Sequence, residues 1–433
     1  MTEISFLTEW QDGERIAAEE LSATFASLRI DVGGEPVTKV LDNRAATIRD
    51  SILVPLYPIA EWLVSNWWFL AKEPENPAKK STLEFNRRHS LRSCSDGYAL
   101  PDLTVIPSGA RIHLRWSAGS SFWTRTDFLN SGHETLDTEQ FMQGCADFIE
   151  KVTRRLDAHG IRSTFLQDEW TAIQNAEDDE AKFCGMSAQL GWDPYDLDES
   201  QQGQVFTLVE QLGELSGEAF PVINASTALH DCAAILEAIN AAKPNELELS
   251  PVVKLYWKQE RYAGTPWETG YDLARDARNG FDLDGQPIAD TESLASALGQ
   301  DVGTLERATA PVEPLKHLNL VEGVVTSGSS GCDSFGLTAR GDTGRRFLFC
   351  RALAEVISSG GDALITKGNT ERQQRNRAFA AEFLAPSASL RATIGHPVVD
   401  EEQVDELAEE YGVSSRVILH QIHNHKIAEL QAL

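Results

Sequence analysis

The stretch RRFLFCRALAE at positions 345–355 decides how the C-terminal half of the chain is read. Its apolar residues, Phe347, Leu348, Phe349, Cys350 and Leu353, continue into Val356 and Ile357, so a helix here is apolar on nearly every side and belongs in a core. Two charges interrupt it. Arg351 and Glu355 stand four residues apart, on one helical face. Charges carried into so apolar a setting need partners. A second stretch, RNRAFAAEFLAP at 375–386, follows a capping-box spacing at Thr370 and Gln373, and Pro386 suits its end.

Together the two stretches resemble the ImmA/IrrE family of metallopeptidases, in which an Arg-Arg-Phe lead-in precedes a helical His-Glu-x-x-His. In that family a second helix carries a Glu shortly before Phe-Ala-Ala-x-Leu-x-x-Pro. The resemblance extends weakly back through TESLASALG at 291–299 to PWETGYDLA at 266–274, about 170 residues in all. It implies a zincin-like domain, mostly helical with a small sheet. Aligned on Phe347, the two His positions fall at Arg351 and Glu355 and the catalytic Glu at Ala352; aligned on Phe379, the third ligand falls at Arg375.

The frame is kept and its chemistry is not. Two neutral imidazoles four residues apart can share a zinc ion while the Glu takes a proton from bound water. Arg351 has no lone pair to donate. Glu355 alone is one ligand where a catalytic zinc needs three, and two arginines repel a divalent cation. No metal, no cofactor and no peptidase activity are expected at this site. Two readings of Arg351, Glu355 and Arg375 stay open: an ion-paired structural plug built on the Arg351–Glu355 spacing, or a pocket that takes a carboxylate or phosphate.

The chain has 433 residues, enough for two or three domains, with the charged and apolar fractions of a folded protein. Its formal net charge of −28 disfavours phosphate backbones and anionic lipid. The EDDE run at 177–180 reads as a solvated face. No run is apolar and long enough for a membrane span, and the first residues lack the pattern of a signal peptide, so a cytoplasmic location is expected. The six cysteines show no Cys-x-x-Cys pair, and buried free thiols are the default, Cys350 included.

An α+β protein in three segments follows. Residues 1–130 read as β-rich with one amphipathic helix. Leu28, Ile30 and Val32 alternate before Gly33 and Gly34, Val37 and Val40 resume, and Ile52, Val54, Leu56 and Ile112, Leu114, Trp116 repeat the period of two. Ile59, Trp62, Leu63, Trp67 and Leu70 have helical spacing and read as a face packed on a sheet. RRHSLRSCSDG at 87–97 reads as a polar loop whose Arg87, Arg88, His89, Arg92 and Asp96 are candidate ligand residues, ahead of the strand-like YALPDLTVI at 98–106.

Residues 131–250 read as a helical connector or recognition module, with helices over 141–156, 180–190 and 204–215 and a breaker at Lys243-Pro244. The resemblance implies a degenerate ImmA/IrrE-like domain over residues 255–433. Within it, TSGSSGCDSF at 326–335 lacks a nucleotide loop's Gly-Lys-Ser/Thr and reads as a strand-connecting turn. VDELAEEYGVSSRVI at 404–418 reads as a helix-turn-helix-like pair broken at Gly412 and capped at Ser414, too acidic to favour DNA. The spacing of His420, His423 and His425 puts them around a helix rather than on one face.

The leading functional expectation is a non-catalytic regulatory or scaffold protein that engages a partner protein. Members of the family it resembles often cleave repressors or antitoxins in stress, mobile-element and phage-response circuits, which implies such a setting. The alternatives are an enzyme or sensor for an anionic small molecule at the arginine-lined pocket or the 87–97 loop, and a DNA-binding regulator acting through 404–425.

Overall fold

A computed structural model describes residues 3–13, 16–75, 82–121, 124–244, 246–249, 264–283, 285–328, 332–338, 341–358 and 360–430. It is of mixed α+β class, with strands concentrated towards the N-terminus and a largely helical C-terminal part. Two compact units result, residues 1–205 and 206–433. The expected middle segment contributes helices to both. The start expected for the third segment, 255–263, lies outside the described residues.

In the first unit the alternation at 28–32 becomes the strand Phe25–Val32, with Leu28, Ile30 and Val32 buried and the intervening residues half-exposed. It pairs antiparallel with Ile4–Trp10 on one edge and with Ile52–Pro55 on the other, and its hairpin turns at Gly33-Gly34. A second antiparallel sheet joins Asp102–Ser108, Arg111–Ser117 and Gly132–Asp137. Its first strand starts later than the apolar run from Tyr98 suggests, because Pro101 has no N–H to give a ladder.

The tryptophan stripe forms two helices, Tyr57–Ser65 and Trp67–Lys72. Ile59, Trp62, Leu63 and Leu70 enter the core, where the Trp62 indole N–H donates to Arg87 O at 3.1 Å. The helix Thr138–Ala158 closes this core. Asp137 caps it by accepting from the backbone of Glu139 and Gln140, and Phe141, Cys145, Phe148, Ile149, Val152 and Leu156 form its buried face.

The second unit is built on an antiparallel sheet in the order Glu246–Leu247, Asp333–Leu337, Val321–Ser327, Ala363–Thr366. The last three strands are buried almost throughout, as a sheet covered on both faces requires. Residues 326–335 join two of them, with 329–331 outside the described residues. The first motif stretch lies in the helix Asp342–Ser358, the second in the helix Glu371–Leu384. The helix Pro266–Gly280, opened by the capping box of Thr265 and Glu268, packs along the latter. A β-carbon at Gly270 would stand 2.3 Å from Arg375 O, so only glycine lets these helices come so close.

The tail forms the helices Glu401–Glu410 and Ser415–Asn424. Between them Gly412 takes φ +58° against the carbonyl of Ala289. Ser414 occupies the N-cap position, but its side chain makes no capping bond. No described helix is long and apolar enough to cross a membrane.

Candidate functional site

Arg351, Glu355 and Arg375, the positions the resemblance aligns with metal ligands, lie on facing helices of the second unit, and each is held by charge. Arg351 is 2% exposed. It donates to Glu322 Oε2 at 2.5 Å, Thr366 O at 2.6 Å and Gln373 Oε1 at 2.8 Å. Glu355 is fully buried and accepts from Arg372 Nε at 2.7 Å, from Arg375 Nη2 at 3.3 Å and from Asn376 Nδ2. The plug expected from the Arg351–Glu355 spacing is therefore wired differently: the close charge partner of Arg351 is on the strand Val321–Ser327, and those of Glu355 are on the helix Glu371–Leu384. Arg351 reaches toward the sheet and Glu355 toward the neighbouring helix.

Gln373 joins the two halves. Thr370 caps the helix by accepting from Gln373 N, yet the Gln373 amide does not complete a capping box. It accepts from Thr366 N and Arg351, and donates to Leu364 O at 2.8 Å and Glu218 Oε2 at 3.1 Å. Glu218 also accepts from Thr370 Oγ1. Three guanidiniums, of Arg351, Arg372 and Arg375, thus face three carboxylates, of Glu322, Glu355 and Glu218.

Burial pushes Glu355 up, but the bond and charge of Arg372, with Arg375 and Asn376, outweigh it and hold the carboxyl below its ordinary range. Glu218 goes the other way: burial dominates, Glu355 adds to it, and the donors Gln373 and Thr370 and the charge of Arg372 compensate only in part. Cys350, next to Arg351, is fully buried, and burial pushes its thiol up to about 12. That is the reverse of what a nucleophile needs.

The candidate ligand residues 87–97 are placed in the first unit, and they are not a loop throughout. Arg87, Arg88 and His89 end the helix Leu83–His89, Arg92 lies in the 3₁₀ turn Leu91–Cys94, and Asp96 follows at φ +38°. Only two of the five converge. Arg88 Nε donates to Glu73 Oε2 at 2.7 Å, and fully buried His89 places Nε2 2.9 Å from the same oxygen and Nδ1 2.8 Å from Val105 O. Arg88 also lies over Phe69, and His89 stacks on Phe85. Arg87, Arg92 and Asp96 are exposed. The cluster ties a helix end to the strand Asp102–Ser108.

Another buried acid lies inside the second motif stretch. Glu382, 1% exposed, accepts from Arg275 Nε at 3.0 Å, Ser387 Oγ at 2.9 Å and Gln421 Nε2 at 2.8 Å, with His425 Nε2 at 3.4 Å. It joins four helices. Burial pushes it up, but His425, Arg275, Gln421 and Ser387 bring it down to about 2. Arg346, from the Arg-Arg-Phe lead-in, donates to Asp342, Ile288 O and Gly412 O. Of the tail histidines, His425 lies beside Glu382 with its ring tilted against that of Tyr271, while His420 and His423 are exposed. Among the described residues no group of three or more His, Cys, Asp or Glu side chains is arranged to hold a metal.

Glu322, Gln373, Glu218 and Glu73 were missed as members of these clusters. A signal existed for Glu322, a lone charge in the apolar run VEGVV, and for Glu382, a lone charge between FAA and FLA. Nothing local marks Glu218 or Glu73. Comparison of the chain with family models, with curated proteins and with solved structures finds no match.

Proposed function

We propose that the second unit is a non-catalytic relative of the ImmA/IrrE frame and that the chain is a regulatory or scaffold protein working through contacts with a partner protein. The observation that carries this reading is the bonding at the frame's ligand positions. Arg351 is fixed by Glu322, Thr366 and Gln373, and Glu355 by Arg372, Arg375 and Asn376, so no position offers a free lone pair to a cation. The balance of three guanidiniums against three carboxylates favours a structural plug over a pocket for an anionic small molecule at Arg351 and Arg375. A scaffold needs its fold kept and its catalytic frame dispensable, and this arrangement meets both conditions.

The resemblance suggests a cytoplasmic role in a bacterial stress, mobile-element or phage-defence circuit. The acidic balance of the chain makes a protein partner more fitting than nucleic acid. The test pairs elemental analysis with affinity purification of the native protein from its own cells. The expected result is no stoichiometric zinc and a co-purifying protein that leaves when the complex is dissociated by salt. One tightly held zinc per chain, lost on Glu355→Gln, would overturn the reading.

A further inference from the structure

The cluster at the end of the helix Leu83–His89 sets a condition on the number of protons it holds. His89 is fully buried, and both of its ring nitrogens face acceptors: Nδ1 stands 2.8 Å from Val105 O and Nε2 2.9 Å from Glu73 Oε2. A peptide carbonyl has no proton to give. Glu73 has none either. Arg88 donates to both of its oxygens, through Nε to Oε2 at 2.7 Å and through Nη2 to Oε1. Burial pushes this carboxyl up, but the bonds and charges of His89 and Arg88 outweigh it and hold the group below its ordinary range. A neutral imidazole has one N–H and one lone pair, so it can serve only one of the two acceptors.

The surroundings of the ring are drawn from several elements of the first unit. Glu73, at the end of the helix Trp67–Lys72, favours a charged ring, and Arg88 opposes it. On the ring's own helix Phe85 stacks on it at 3.9 Å, while Glu84 and Arg87 are exposed, as is Lys72 on the helix before. The 3₁₀ turn Leu91–Cys94 brings Arg92, which is exposed and points to Asp102 at 4.0 Å, and the Cys94 thiol, which burial pushes up to about 12 and so keeps uncharged. The turn after the helix Asp178–Gln189 brings Gly191, where a β-carbon would stand 3.4 Å from Glu73 Oε1 and 3.9 Å from Arg88 Nη2. The strand Asp102–Ser108 contributes the carbonyl of Val105.

We propose that His89 is held as an imidazolium between Glu73 and Val105 and acts as a pH-sensitive clasp that fixes the helix Leu83–His89 to the strand Asp102–Ser108. Loss of one ring proton as pH rises leaves either Val105 O without its donor or the Nε2 lone pair against the Glu73 carboxylate. Both outcomes disfavour the docked helix. Little else holds it there: it buries only Phe85 and His89, accepts the Trp62 indole N–H at Arg87 O, and is followed by the single bridge Ser90–Thr104. On the acid side the depressed carboxyl of Glu73 contributes stability that is present at neutral pH and lost as pH falls through its lowered range. The clasp is closed between these two limits. Its opening withdraws Arg88 from the ring of Phe69, which it covers at 4.5 Å.

The test is nuclear magnetic resonance of the full chain with nitrogen-15 in its histidine rings, which counts the ring protons directly, with the His89 signal identified by its contact with the Phe85 ring. Two ring N–H groups are expected at about pH 6 and one at about pH 9. Hydrogen exchange over 83–92, corrected for the intrinsic effect of pH, should lose about tenfold in protection between the two, as the loss of one buried bond implies. In Glu73→Gln the amide oxygen can accept from Arg88 while the amide N–H donates to a neutral Nε2, so the ring should keep one proton throughout and protection should no longer follow pH. His133→Gln, at an exposed ring of the same unit, should leave the response in place. A His89 ring with one proton at about pH 6, protection over 83–92 indifferent to pH, or a pH response retained in folded Glu73→Gln would each overturn the proposal. The first two measurements need no variant.

Discussion

The wiring of the buried network predicts which pairs of substitutions compensate. Arg351→Met removes the guanidinium bonded to Glu322, a residue 9% exposed, and breaking a buried pair in this way costs about 3–5 kcal/mol. Adding Glu322→Leu removes the carboxylate that lost this guanidinium. What then remains is the loss of donors to Gln373 Oε1 and Thr366 O, about 1–3 kcal/mol. The double variant should therefore be more stable than Arg351→Met alone, with a coupling of about 2 kcal/mol between positions 351 and 322. Glu355→Gln removes the carboxylate bonded to Arg372 and Arg375, and its coupling with Arg351→Met should be smaller than that between 351 and 322, because the two positions have different charge partners and share only the link through Gln373 and Glu218. The assay is urea-dependent hydrogen exchange read by mass spectrometry over 342–358 and 371–384, which isolates the network from the first unit. A larger coupling between 351 and 355 than between 351 and 322 would refute the wiring and restore the simple helix pair.

Further outcomes follow from other buried groups. Glu382 titrates at about 2 against an ordinary 4.5, so its contribution is complete above 4.5 and is lost as pH falls towards 2. That is about 3 kcal/mol, and Glu382→Gln should flatten this part of the acid profile of exchange at 401–424. Gly412→Ala should destabilise the second unit by at least about 2 kcal/mol in denaturant titration, since φ is +58° and a β-carbon would stand 1.8 Å from Ala289 O. Random duplex DNA should show no gel shift at physiological salt with sub-micromolar protein, given the −28 charge and the acidic helix Glu401–Glu410.

What could be read from the chain depended on the range of the interaction. Alternation at Leu28, Ile30 and Val32 reports a half-covered strand because side-chain period is a local property, and the strand is there. The break at Gly412 and the core side of the tryptophan helices were legible for the same reason. The helix Leu83–His89 was not. It buries only Phe85 and His89, so it has almost no apolar period and passes for a loop. The charge clusters were legible as residue types and not as partners. Arg351 and Glu355 announce that they need counterions, but Glu322 and Gln373 come from 29 and 22 residues away. The four-residue spacing on one helix looked sufficient by itself. The strand and the second helix compete for the same two side chains, and burial against them decides.

Glu382 has a consequence for chains that end early. Its carboxylate lies inside the second unit and takes Gln421 and His425 from the last described helix, which also holds Ile418 and Ile422 in the core. A chain stopped before residue 400 would keep Arg351, Glu355 and Arg375. It would also expose that part of the core and leave Glu382 with fewer donors. Such a product should be recognised as unfolded and removed, so that a late nonsense mutation acts as a null allele rather than yielding a shortened, competing copy.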